Sequence, residues 1–137
     1  MAGGRTYDAF SHRCLTTVTM PRATSSAAAL AVMAGTGVVL PFAAKLIAAT
    51  MFHTVSATVA AASHTLAIVK SVAGTGTLSQ VGTYTIAGTT ATGETDTATL
   101  AETNFAAGDV IGLSLPVASV AVLGTANHTF SFEELPS

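Results

Sequence analysis

From Val110 to Leu115 the chain alternates strictly, with Ile111, Leu113 and Leu115 on one side and Val110, Gly112 and Ser114 on the other. A period of two is strand spacing. Just ahead, Ala107-Gly108-Asp109 reads as a tight turn. Glycine adopts backbone angles that other residues resist, and an aspartate carboxylate can accept from nearby backbone N–H groups. Pro116 ends the run. The alternation returns from His128 to Glu134, which predicts Phe130 and Phe132 inward and Thr129, Ser131 and Glu133 outward. It also appears near the start, where Cys14, Thr16, Val18 and Met20 oppose Leu15, Thr17 and Thr19 until Pro21.

Between these runs, Lys45 to Val55 is apolar on both faces, with Leu46, Ala48 and Phe52 on one and Ile47, Ala49 and Met51 on the other. Such a strand is expected to be covered on both sides, by a second sheet or by a partner subunit. Val38 to Phe42, interrupted by Pro41, reads as an edge strand. Further strands are expected over His64–Val72, Leu78–Ile86 and Val117–Leu123, with connections at Ser56–Ser63 and Thr89–Thr95. Residues 27–34 are rich in alanine and fit strand, helix or arm. Residues 1–13 have no period. The sum is an all-β, single-domain β-sandwich or jelly roll of about eight strands over residues 27–137, with an extended N-terminal arm over residues 1–26.

Composition adds a functional clue. Charged residues are 9% of the chain, whereas a typical domain has roughly 25%. The surface must therefore be largely Thr, Ser, Gly and Ala, which desolvates easily and suits a protein packed against neighbours. A net charge of -2 argues against binding nucleic acid through phosphate contacts. Arg5, Arg13 and Arg22 cluster near the start, while most acidic residues lie in the second half. The uncharged stretch 23–44 is nearly long enough to span a membrane, but Gly35, Gly37 and Pro41 interrupt it, so no membrane partner is expected. The single cysteine, Cys14, excludes an intrachain disulfide.

Candidate chemistry is sparse. His53, His64 and His128 lack the short ligand spacing of a zinc site, so no metal or other cofactor is expected. There is no Gly-x-Ser-x-Gly elbow, and the acidic pairs Glu94/Asp96 and Glu133/Glu134 read as solvated surface rather than an acid and a base. The reading is non-enzymatic.

Three features together, Val39-Leu40-Pro41-Phe42 feeding the long strand, the Phe105-to-Leu113 turn and strand, and Phe130-Ser131-Phe132, carry a family likeness. Over residues 37–135 the chain resembles the jelly-roll capsid decoration, or cement, proteins of tailed bacteriophages. The resemblance implies a homotrimer on the outer surface of a virion that bridges and stabilises neighbouring major capsid proteins. It implies an attachment arm, for which Arg5, Arg13 and Arg22 are the candidates, and a subunit interface on one face of the long strand, at Ile47, Ala49, Met51 and His53. Gly108 and Asp109 are the structural turn. Similar signatures occur in fibre and spike heads, so a fibre, spike or tail-associated module for attachment is the alternative. A secreted or membrane-associated structural module is the third possibility.

Overall fold

The computed structural model describes residues 15–22, 36–55, 57–101, 104–115 and 125–136, with the backbone alone at 57–64 and 87–89. Every regular element among them is a strand: β1 (Leu15–Arg22), β2 (Val38–Val39), β3 (Ala44–His53), β4 (Ala57–Ser71), β5 (Leu78–Thr90), β6 (Thr95–Thr97), β7 (Thr99–Leu100), β8 (Asn104–Phe105), β9 (Val110–Ser114) and β10 (Ala126–Glu134). The first sheet runs β1–β10–β3–β6, with β8 also paired to β3, and the second runs β2–β9–β4–β5–β7. All pairings are antiparallel. Among these strands only β4 and β5 are consecutive within one sheet, and every other successive pair alternates between sheets. That connectivity makes the β-sandwich a jelly roll.

The core is the set of side chains that the period-two pattern points inward. Leu46, Met51, Phe130 and Phe132 from the first sheet meet Leu66, Ile68, Ile86, Ile111 and Leu113 from the second. Each such side chain, fully buried, contributes roughly 1.5–3 kcal/mol of transfer free energy. The expected inward faces of β9 and β10 are therefore the observed ones.

Several boundaries differ from the sequence reading, each for a local reason. β1 continues through Pro21 to Arg22, because it is an edge strand and the missing N–H of proline need not interrupt the ladder to β10. The register is unbroken from Leu15↔Glu133 to Arg22↔Ala126. Residues 15–22 are thus part of the sandwich and not of an arm over residues 1–26. β4 begins at Ala57 and absorbs the expected connection, and β5 runs through Gly88 to Thr90. Residues 36–44 hold β2, a bend and the start of β3 rather than a helix, and among the described residues no helix is long and apolar enough to cross a membrane. The expectations for 27–34, Cys14 and Val117–Leu123 fall outside the described residues.

The long strand carries a further correction. Between Ser131 and Phe132 its register shifts, so that Ser131 opposes Ala48 and Phe132 opposes Leu46, leaving Ile47 as the extra residue of a bulge. A bulge reverses which parity faces inward. Leu46 is inward before it, and Ala49, Met51 and His53 are inward after it. The predicted interface set is split: Ala49, Met51 and His53 are at most 1% exposed and belong to the core, while Ile47 alone is on the outer face.

The turn at residues 106–109 ties three elements together. Gly108 has a φ of 89°, a left-handed conformation that disfavours side chains. Its N–H donates to the Leu40 carbonyl at 2.7 Å, and the Leu40 N–H donates to the Asp109 carbonyl at 2.8 Å. The buried Asp109 carboxylate accepts from the Ala106 and Ala73 N–H groups, both at 2.9 Å, which staples the turn to the β4–β5 hairpin. Replacing Gly108 with alanine should cost about 1–2 kcal/mol through the backbone angle. The new Cβ would also sit 3.1 Å from that of Ala73. Asp109→Ala should cost about 2–3 kcal/mol by orphaning two donors. Urea denaturation measures both, and an unchanged midpoint for Gly108→Ala would show that the turn does not depend on glycine.

Candidate functional site

Six side chains from five strands, all but one of them titratable, collect at the end of the sandwich opposite the Asp109 turn. β1 supplies Arg22, β10 supplies His128, β3 supplies Met51 and His53, β5 supplies Tyr84 and β6 supplies Asp96. The pairing explains the gathering. Met51 is directly opposite His128 on one side and Asp96 on the other, and His53 is opposite Ala126. Arg22 and Met20 are the inward residues at the end of β1, opposite Ala126 and His128.

The Arg22 guanidinium is 2% exposed, although its sequence position suggested a solvated arm. Its Nε donates to His128 Nε2 at 3.0 Å, and its Nη2 lies 3.6 Å from the Met51 sulfur. An imidazole nitrogen that accepts a hydrogen bond is unprotonated, so His128 is the neutral tautomer with its proton on Nδ1. Burial, then the Arg22 charge, then His53, push His128 from 6.5 down to about 3. Burial lowers Arg22 to about 10, which still leaves it charged at neutral pH. Tyr84, edge-on to the His128 ring at 5.2 Å between centroids, is raised above the usual phenol value by burial and remains a neutral hydroxyl.

Beside this pair, His53 Nε2 and Asp96 Oδ2 are 2.7 Å apart, with the imidazole fully buried and the carboxylate 26% exposed. A histidine–aspartate pair is half of a general-base arrangement, and the other half is a hydroxyl or thiol on the second ring nitrogen. Among the described residues no hydrogen-bonding group reaches His53 Nδ1, and Tyr84 Oη and His128 Nδ1 are likewise buried without a hydrogen-bond partner. Among the described residues, no group of three His, Cys, Asp or Glu could hold a metal. The arrangement holds charge in place and is sealed from solvent on the histidine side.

Arg22 was expected at an arm, and the structure corrects this by placing it inside. Arg5 and Arg13 lie outside the described residues, and so does the His12 side chain; at His64 only the backbone is described. The association of Arg22 with His128, and of His53 with Asp96, had no signal in the sequence, since the partners are 106 and 43 positions apart. The one available hint was that His128 shares the inward parity of Phe130 and Phe132.

The outer face of the first sheet is the other organised surface. Thr19, Thr129, Thr50 and Thr97 are direct cross-strand neighbours over four strands, and Thr17, Ser131 and Ala48 form the next row. Thr–Thr cross-strand pairs contribute roughly 0.2–1 kcal/mol each. Lys45 and Glu133 oppose each other at one end of this face. Leu15, Ile47 and Phe52 stand exposed on it. No protein-family model matches the chain, and no curated protein matches its sequence.

Desolvating a guanidinium costs several kcal/mol, more than the roughly 1.5–3 kcal/mol returned by one hydrogen bond to a charged group. The Arg22–His128 hydrogen bond thus holds the end of β1 in a place where burial of a cation is costly. His128→Leu alone should destabilise by about 3 kcal/mol, because a hydrogen bond to a buried cation is lost. Adding Arg22→Met should restore stability to within about 1 kcal/mol of the original. A double mutant as unstable as the sum of the single changes, measured by urea denaturation, would contradict this coupling.

Proposed function

We propose that this chain is a non-enzymatic structural protein that works by association, and that it is a capsid decoration protein. In this reading it assembles as a homotrimer on the outer surface of a virion and bridges neighbouring major capsid proteins. The observation that carries the reading is the outer face of the first sheet. It is a broad array of threonine, serine and alanine with three exposed apolar side chains and a single opposed charge pair. Such a face loses little on desolvation, whereas a face dense in charges would resist it.

The interior cluster supports the non-catalytic part. Its His–Asp pair has the residue types of a general base, but the imidazole is fully buried and, among the described residues, no nucleophile reaches its Nδ1. The jelly-roll connectivity supports the family resemblance at the level of fold. With Ala49, Met51 and His53 committed to the core, the subunit contact in this proposal moves to Ile47 and Phe52 on the outer face. With Arg22 also inside, the attachment role of the arm rests on Arg5 and Arg13.

Sedimentation equilibrium of the purified chain should give a trimer. Phe52→Glu should shift it to monomer while changing stability by no more than about 0.5 kcal/mol, as for other exposed positions. Phe52 is 44% exposed, so the substitution leaves the core intact. A chain that is monomeric at every concentration would overturn the assembly reading.

A further inference from the structure

We propose that β1 is an acid-released latch, in which protonation of His128 expels Arg22 from the interior and frees β1 from the first sheet while the rest of the sandwich holds. The inference is independent of the capsid reading.

Geometry makes His128 the sensitive point. Its Nε2 is the acceptor for the Arg22 guanidinium at 3.0 Å. A proton on that nitrogen removes this hydrogen bond and sets two cations against each other in a buried site. The other groups facing His128 are His53 from β3, Tyr84 from β5 and Asp96 from β6. Tyr84 is neutral. Asp96 is engaged with His53 at 2.7 Å.

The response goes to β1 because β1 carries the cation set against His128 and, among the described residues, lies at the edge of the sheet. Among the described residues it pairs with β10 alone, whereas β10 lies between β1 and β3, and β3 lies between β10 and the pair β6 and β8. Of its inward residues, Thr16 and Val18 are only half-buried, and Met20 and Arg22 are fully buried. Arg22 is therefore one of two deep anchors. Turning it out to solvent relieves the charge conflict without dismantling a strand that is bonded on both sides.

The sign follows from His128 lying near 3 when folded and 6.5 when exposed. The detached state binds one more proton across that interval, so β1 attachment is fully present above about pH 6.5 and is lost as the pH falls. One proton sets the limit at a tenfold gain in β1 opening per pH unit.

Hydrogen exchange read by mass spectrometry, as protection factors for peptides from β1, β3 and β4 between about pH 7 and about pH 4, tests this directly. Protection of β1 should fall by up to tenfold per pH unit while β3 and β4 keep theirs. His128→Gln, whose amide oxygen accepts from Arg22 and does not titrate, should flatten the β1 profile. If that variant does not fold, Arg22→Gln, which donates without a charge, should reduce the slope instead. A β1 profile independent of pH, a slope unchanged in the variant that folds, or loss of protection in β1, β3 and β4 together would each overturn the latch.

Discussion

A guanidinium held inside a β-sandwich, 3.0 Å from an imidazole that must remain neutral, is the interaction on which the arrangement of this protein turns. The apolar core alone would close the two sheets, since aliphatic and aromatic side chains fill the space between them. It would not specify where the edge strand ends. Arg22 does so, because a buried cation tolerates few positions and His128 provides one of them. Its register partner, Ala126, lies directly across from it, and the ladder back to Leu15 follows without a break. Electrostatic cost is thereby converted into positional specificity, a role for which buried polar groups are known in some folds.

The two ends of the sandwich solve the same problem in opposite ways. At the Phe105 end, a buried carboxylate accepts from two backbone N–H groups and needs no cation. At the Arg22 end, a cation is balanced by a neutral ring and by a separate His–Asp pair. In the proposed latch the second arrangement fails once His128 takes up a proton. Stability is thus distributed unevenly along the molecule, and the weak point is an edge strand rather than the core.

What was legible in the sequence was local. Alternation placed Ile111, Leu113, Phe130 and Phe132 inward, and the Ala107-Gly108-Asp109 triplet marked a turn with a positive φ at its glycine. Features that depend on distant partners were not legible. Ile47 is a bulge because Phe132 pairs with Leu46 while Ser131 pairs with Ala48, and an apolar run without glycine gives no sign of that shift. Every residue after it in β3 therefore faces opposite to the sequence reading. Arg22 looked like part of a basic arm because its acceptor is 106 residues away. Pro21 looked like a stop because only its place at the edge makes it tolerable in a strand. Nitrogen-15 NMR of the His128 ring tests the central interaction most directly. The account predicts a neutral imidazole with its proton on Nδ1, persisting to about pH 4 or below in molecules whose β1 is still attached. A proton on Nε2, or an imidazolium already formed near pH 6.5 with β1 in place, would contradict it.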